Sequence, residues 1–204
     1  MEKEAMTKTR ECTPLLFPYR GIIWGGVGLF AFCVTRGNPV LFVCGTGLIC
    51  AGEALRIWGV GYIRNYRGPM REAKALVTGG PYAYVRNPLY LANAVIGCGI
   101  ALLTGVWWIL LLFCVVYVLL YGRIIREEES YLARRFPGEY RQYAASVPRI
   151  LPRRTPYPRR RGSFSWLVIP KKEVHTFATI ALIVGAFYLR SFTGLRAFVD
   201  RVLF

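Results

Sequence analysis

Two clusters of polar and aromatic residues carry the chemistry that this sequence offers. The first is the stretch 82–90, where tyrosines alternate with an arginine and an asparagine around a proline. The second is a run of three acidic residues, Glu127, Glu128 and Glu129. By composition alone, the acidic run favours a solvated start of a helix, neutralised by neighbouring arginines, over a binding site. The order of residues around both clusters is therefore needed to choose between these interpretations.

The motifs of the common hydrolases and nucleotide-binding folds are absent from the sequence. HExxH, GxSxG, P-loop and strand-linked GxGxxG patterns do not occur, which leaves metalloprotease, hydrolase, phosphotransferase and Rossmann functions without support. The six cysteines form no CxxC pair and five lie in apolar runs, so we expect neither a disulfide framework nor a metal site. The single His175 begins an apolar stretch and is expected to lie at a membrane interface.

The elements that must position these clusters are strongly hydrophobic. Of the 204 residues, 54% are hydrophobic, the mean hydropathy is +0.36 and the formal net charge is +16. Long stretches hold almost no charge and the arginines gather between and after them, as in a membrane protein with a basic cytoplasmic surface. Nucleic-acid-binding proteins do not devote half of their length to such segments, so we expect no nucleic-acid partner.

Five apolar stretches approach the roughly 20 residues that a transmembrane helix needs. They cover residues 15–34, 39–63, 88–103, 107–125 and 174–189. The break at Thr104-Gly105 makes the third and fourth stretches an antiparallel hairpin, and the last is barely long enough to span. Glu53 and Arg56 share one helix face, either as an ion pair that locks helices together or as part of a site. We expect one all-α integral membrane domain over 1–204, with about five transmembrane helices.

The polar segments fall on one side of the predicted membrane. The loop 64–86 and the region 123–172 carry most of the basic residues, and the positive-inside rule places them with the N-terminus in the cytosol. Apolar residues recur every three or four positions over 132–147, which predicts amphipathic helices split at Pro137-Gly138. The basic residues 153–173 are expected to be a solvated linker that touches anionic lipid headgroups. The region 174–204 adds membrane or interfacial helices.

The order of residues in both clusters resembles the isoprenylcysteine carboxyl methyltransferase family and the related membrane phospholipid N-methyltransferases. The resemblance rests on LVTGGPYAYVRNPLYL at 76–91 and on REEESYLARRFPGEYRQYAASVPRILP at 126–152. These families share a glycine-aromatic turn into Arg-His-Pro-x-Tyr, a transmembrane hairpin, two glutamates, a Phe-Gly-x-x-Tyr-x-x-Tyr stretch and an ending similar to Val-Pro-Arg. The likeness covers residues 50–152, about half of the chain, including GEALR at 52–56.

The resemblance implies that the cytosolic loops and short helices bind S-adenosylmethionine without a metal. The residues implied to line the pocket for this cofactor are Lys74, Leu76, Val77, Tyr82, Asn87, Pro88, Leu89, Tyr90 and Glu128. The predicted catalytic residues are Arg123, Arg126 and Glu129. The positive ammonium and sulfonium groups of the cofactor suit Glu128, and its adenine suits an apolar, aromatic slot. The protein then has mainly to align the acceptor, the methyl group and the sulfur, and to exclude water.

Two positions depart from the family pattern. Asn87 stands in place of the histidine, and its amide donates hydrogen bonds but does not titrate. Ile124 stands where family members place the arginine that meets the substrate carboxylate. Arg123 and Arg126 flank it but project from other helix faces. We hypothesise that one of them, Arg126 in preference, reaches the acceptor or the carboxylate of the cofactor.

The expected function is methyl transfer to a lipophilic acceptor that arrives from the bilayer, with the active site on the cytosolic face. The resemblance favours the carboxylate of a prenylated cysteine as acceptor, and a phospholipid amine or a thiol is the alternative. Two other functions stay open: an NADPH-dependent membrane reductase of the sterol reductase type, whose C-terminal part looks like this motif, and a non-enzymatic protein that binds anionic lipid or a partner. Stabilisation by S-adenosylhomocysteine, by NADPH or by neither distinguishes the three.

Overall fold

The computed structural model describes residues 19–63 and 75–193, and every regular element within those ranges is helical. The six α-helices are α1 (Arg20–Cys33), α2 (Pro39–Tyr62), α3 (Pro88–Leu103), α4 (Trp107–Arg135), α5 (Pro137–Ser146) and α6 (Val168–Phe192). A short 3-10 helix, Gly80–Ala83, lies in the loop before α3. The predicted all-α fold is therefore confirmed.

Three helices of the described chain are long and apolar enough to cross a membrane by length and composition. They are α2, α4 and the segment Glu173–Phe192 of α6. The five predicted apolar stretches correspond to α1, α2, α3, α4 and α6, but α1 and α3 have only 14 and 16 residues. The chain is thus an all-α protein built around membrane-spanning helices. Most of the predicted interfacial tail lies outside the described residues.

Helix α4 continues without a break from the predicted end of its membrane span, near 125, to Arg135. The reason is local, because the sequence after Gly122 has no glycine or proline before Pro137 and is rich in residues with high helix propensity. The acidic run therefore lies inside a helix and not at a helix end, which corrects the sequence expectation. Helix α5 begins at Pro137, where a proline suits the first turn.

Helices α2 and α3 approach each other along a seam of glycines. A Cβ atom on Gly45 would lie 2.6 Å from the carbonyl oxygen of Gly99, and a Cβ on Gly99 would lie 2.6 Å from that of Gly45. Small residues allow such close approach between membrane helices, where van der Waals contact drives association. The start of α2 is capped by Asn38, whose side chain accepts a hydrogen bond from the Leu41 backbone N–H at 3.0 Å.

Residues 148–161, which we call the strap, run antiparallel along the loop 78–86. Backbone hydrogen bonds of 2.8 to 3.1 Å join the pairs Arg86–Pro148, Tyr84–Arg153, Ala83–Tyr157, Gly79–Arg161 and Thr78–Arg161. The predicted solvated linker is therefore held to the loop through the backbone of Arg153, Tyr157 and Arg161, while most residues between them stay exposed. The physical reason is that an extended loop needs partners for its own N–H and C=O groups, and an extended, proline-rich segment supplies them.

The predicted amphipathic stripe forms a small core beneath the loop and the strap. Tyr140, Tyr143 and Val147 are buried, and Leu132 and Phe136 pack against them. Leu76 and Ala83 from the loop and Tyr157 from the strap complete this cluster. The α4–α5 segment, the loop and the strap thus form one unit at the end of the membrane helices, and this unit positions the candidate site.

Candidate active site

Tyr90 and Glu128 meet where the first turn of α3 passes α4. The Tyr90 hydroxyl donates a hydrogen bond to Oε2 of Glu128 at 2.8 Å. Tyr117 donates its hydroxyl to the backbone carbonyl of Tyr90 at 2.6 Å, and the rings of Tyr90 and Tyr121 lie 5.6 Å apart. Tyr90 and Glu128 are each partly exposed. Two residues that are 38 positions apart in the sequence, one from each half of the motif, therefore share one partly open site.

Glu129 lies beside this pair but is buried, at 7% exposure, and accepts hydrogen bonds at both oxygens. Asn87 Nδ2 donates to its Oε1 at 2.9 Å. Arg149 donates to its Oε2 from Nε at 2.9 Å and from Nη2 at 2.7 Å. Arg86 Nε is 3.7 Å from Oε1. Glu129 was predicted to be catalytic, and in this geometry its carboxylate ties the turn before α3 to α4 and the strap.

Arg149 is a member of this network to which the sequence analysis assigned no role. It belongs to the Val-Pro-Arg ending of the motif, and that ending was the available signal. The hydrogen bonds to Glu129 raise the pKa of the Arg149 guanidinium above its ordinary value, with burial opposing the shift. Its carbonyl oxygen also accepts from Asn87 Nδ2 at 3.2 Å. An amide with two donor hydrogens serves both acceptors, which explains how asparagine functions at a position where the family has histidine.

Two tyrosines of α5 lie near the same carboxylate. Burial raises the pKa of Tyr140 to about 12, and the negative charge of Glu129 adds to the shift while Arg86 opposes it. Burial also raises the pKa of Tyr143. Its hydroxyl donates to the backbone carbonyl of Tyr82 at 2.7 Å. Both phenols therefore stay neutral at physiological pH, and Tyr143 holds the 3-10 helix in place as a hydrogen-bond donor.

The residues predicted to contact the cofactor differ in exposure. The buried ones are Leu76, Tyr82, Asn87, Pro88 and Leu89. Of these, Leu76 packs into the core beneath the loop and does not line an open slot. Val77, Tyr90 and Glu128 keep partly exposed surface. Lys74 lies outside the described residues.

The two predicted catalytic arginines are not brought to the Tyr90–Glu128 pair. Arg123 and Arg126 are exposed, whereas Ile124 between them is only 2% exposed. Residues four apart share a helix face, so Ile124 lies on the face of Glu128 while the two arginines point elsewhere. The face of α4 that leads from Glu128 toward the membrane, with Ile124 and then Tyr121 and Tyr117, therefore carries no charged residue.

An apolar cavity of about 210 Å³ lies beside this group of residues. Its lining consists of Leu55, Trp58, Pro81, Tyr84, Val85, Leu91 and Pro152. None of the predicted cofactor or catalytic residues is among them. The cavity is therefore distinct from the acidic site at Tyr90 and Glu128.

Comparison with known proteins gives matches over the same part of the chain. The sequence model of the phospholipid methyltransferase family matches residues 40–139. The cobalt-zinc-cadmium resistance protein CzcN of Cupriavidus metallidurans is 31% identical over 64% of this chain and 56% of its own length. The nickel-cobalt-cadmium resistance protein NccN of Alcaligenes xylosoxydans xylosoxydans is 35% identical over 48% of this chain and 43% of its own length. The protein-S-isoprenylcysteine O-methyltransferase of Schizosaccharomyces pombe is 32% identical over 60% of this chain and 52% of its own length.

The three relatives are each matched over only part of their length. The chain spans about half the length of the curated relatives it matches. No solved structure matches significantly. The family segment extends from α2 to the first turn of α5 and contains Asn87, Tyr90, Glu128 and Glu129, the residues that meet in the site. Through this segment the chain is similar to the phospholipid methyltransferase family and to the isoprenylcysteine O-methyltransferase of Schizosaccharomyces pombe.

Proposed function

We propose that this protein is an S-adenosylmethionine-dependent methyltransferase of the membrane that modifies a lipophilic acceptor. The observation that carries the proposal is the 2.8 Å hydrogen bond between Tyr90 and Glu128, which joins both halves of the motif in one acidic, aromatic site. The match of residues 40–139 to the phospholipid methyltransferase family supports the same reaction. A soluble acceptor would have no need of a site at the end of membrane-spanning helices.

The donor set of the site fits this cofactor. S-adenosylmethionine supplies a methyl group that its positive sulfonium has already activated. The Glu128 carboxylate, oriented by Tyr90, attracts a positive group, and the partly apolar surroundings strengthen that attraction relative to water. Val77 and Tyr90 offer apolar and aromatic surface to the adenine. These three residues would hold the cofactor, while Asn87 and Glu129 would hold the turn that carries Tyr90.

The first acceptor that we propose is the carboxylate of a prenylated cysteine. The resemblance of the motif supports it, as does the name of the Schizosaccharomyces pombe relative. In this case the carboxylate needs a cationic partner at the site. Arg123 or Arg126 would supply it only after a rearrangement of α4, because both are exposed in the described structure.

A phospholipid amine or a thiol is the second candidate acceptor, and one observation favours it. Ile124 is buried on the Glu128 face at the position where family members carry the carboxylate-binding arginine. An anionic acceptor packed against the buried Ile124 would lack a counterion, which is costly for a charge removed from water. An amine or thiol that reacts in its neutral form places no such charge there.

We also propose that the site faces the cytosol. The strap beside the site carries exposed arginines, and the positive-inside rule assigns such segments to the cytosolic face. Arg154, Arg159 and Arg160 are exposed on it and are suited to contact anionic headgroups. The lipophilic acceptor would then arrive from the bilayer and the cofactor from the cytosol.

Thermal unfolding of the detergent-purified protein tests the reaction class. We expect S-adenosylhomocysteine to raise the unfolding temperature and NADPH to leave it unchanged, because a ligand stabilises only the fold that binds it. Stabilisation by NADPH alone would support the reductase, and stabilisation by neither would support a non-enzymatic role. Transfer of a radiolabelled methyl group to a prenylcysteine, a phosphatidylethanolamine and a hydrophobic thiol would then identify the acceptor.

A further inference from the structure

A second polar cluster lies within the membrane-spanning helices. Arg56 of α2 donates from Nε to Oε2 of Glu173 in α6 at 2.7 Å, and from Nη1 to Oδ1 of Asn93 in α3 at 2.7 Å. Its Nη2 is 3.4 Å from Oγ1 of Thr176 in α6. The Glu173 side chain has no exposed surface, and that of Arg56 is 12% exposed. Buried charge thus ties α6 to α2 and α3.

Glu53 lies one turn before Arg56 on α2 and is 7% exposed. Among the described residues, neither of its carboxyl oxygens has a hydrogen-bond partner, and Oε1 of Glu173 has none either. The charged groups that act on Glu53 are Arg56 on its own helix and Glu173 on α6. Helix α3 contributes Asn93 and carries no charged residue. Three buried carboxyl oxygens of this cluster, two from Glu53 and one from Glu173, therefore lack a hydrogen-bond donor among the described residues.

The charges of this cluster do not balance if both carboxyl groups are ionised. Arg56 gives its Nε hydrogen bond to Glu173, so an ionised Glu53 would be a second carboxylate without a hydrogen bond. Glu53 is nine residues before the end of α2, which is about 14 Å along the helix axis. An isolated carboxylate in such surroundings is strongly disfavoured and is neutralised instead, and two carboxylates that share one site rarely both ionise.

We propose that Glu53 is a proton-binding site inside the membrane and holds one proton at neutral pH. The proton makes the cluster of Glu53, Arg56 and Glu173 neutral and turns one Glu53 oxygen into a donor. A metal ion fits less well, because three free oxygens are fewer than the six or more that Ca²⁺ requires and Arg56 repels a cation. Glu53, Arg56 and Asn93 lie inside the family segment, whereas Glu173 of α6 lies outside it. The hydrogen bonds from Arg56 to Glu173 and Asn93 do not involve the Tyr90–Glu128 pair of the candidate active site.

Infrared spectroscopy of the full chain in lipid nanodiscs tests the proposal. A protonated carboxyl group has a C=O stretching band that an ionised one lacks. We expect the parent protein to show that band at neutral pH. In Glu53→Gln the intensity of the band should fall by the equivalent of one carboxyl group. In Glu139→Gln the band should be unchanged. Glu139 is the matched control because it is half-exposed and pairs with Arg161 at 2.7 Å. Identical acid bands in the parent and in Glu53→Gln would overturn the proposal.

Thermal unfolding supplies a second readout. Glu53→Gln mimics the protonated side chain, so we expect it to unfold at the temperature of the parent or above it. Glu173→Gln removes the carboxylate that accepts the Arg56 Nε hydrogen bond and should unfold at a lower temperature. An equal loss of stability in both variants would refute the proposal that Glu53 holds a proton. Stabilisation of the parent by sodium at constant ionic strength would also refute it, because the site would then bind a cation. Should Glu53→Gln fail to fold, Glu53→Asp must shift the acid band, and an unshifted band would refute the assignment.

Discussion

Replacing Glu129 with alanine removes the acceptor that joins Asn87, Arg149 and α4. The loss has two parts. The hydrogen bond from Asn87 to a buried carboxylate contributes about 1.5–3 kcal/mol, the range for hydrogen bonds to charged groups. The pair with Arg149 contributes about 1 kcal/mol, at the upper end for screened pairs, because the Arg149 side chain is 46% exposed. We therefore expect Glu129→Ala to lower the free energy of unfolding by about 2.5–4 kcal/mol.

The assay is reversible unfolding of the purified protein in mixed micelles, followed by circular dichroism. Glu127→Ala is the matched control, since Glu127 is exposed on the same helix and should change stability by no more than about 0.5 kcal/mol. Arg149→Ala should cost less than Glu129→Ala, and the double variant should show a coupling of about 0.5–3 kcal/mol. A Glu129→Ala protein that is as stable as the parent but cannot transfer methyl groups would refute a positioning role and establish a catalytic one.

Three further predictions follow from the geometry. Tyr90→Phe removes the hydrogen bond to Glu128 and should weaken S-adenosylhomocysteine binding by about 1.5–3 kcal/mol in calorimetric titration, without unfolding the protein. Arg123→Ala and Arg126→Ala should keep the parental turnover in the methyl-transfer assay if α4 stays as described, and a large loss in either would show that an arginine reaches the acceptor. The pKa of Tyr140 is raised from 10.0 to about 12, so its neutral form favours folding and stability should fall as pH rises from about 10 to about 12. Tyr140→Phe should lessen that alkaline loss, measured as unfolding temperature against pH.

Much of the fold follows from local signals in the sequence. Helix α3 has the predicted bounds, because Pro88 suits a first turn and Thr104-Gly105 interrupts the apolar run. Gly105 adopts a φ of +70°, which a glycine tolerates and most residues avoid. The stripe that includes Tyr140 and Tyr143 was predicted from its helical spacing and is buried as expected. In each case, the information lies within a few residues along the chain.

The parts that could not be predicted depend on contacts between distant segments. The strap pairs with the loop through backbone groups, and such pairing leaves no side-chain periodicity in the sequence. Glu53 and Arg56 share a helix face, but the nearest anion to Arg56 is Glu173, 117 residues farther along the chain. From the sequence, Arg149 could be identified only as part of the Val-Pro-Arg ending of the motif, without a predicted contact. Its contact with Glu129 requires the turn after α5 to bring the strap back to α4.

Binding of S-adenosylhomocysteine to Glu128→Gln, with Glu127→Gln as the control, tests the central claim most directly. Glu128 contacts Tyr90 in the partly open site, whereas Glu127 is exposed on the same helix. We predict that Glu128→Gln remains folded and loses measurable binding, because a neutral amide no longer attracts the positive group of the ligand, while Glu127→Gln binds as the parent does. Parental affinity in both variants would contradict the assignment of the cofactor site to Glu128.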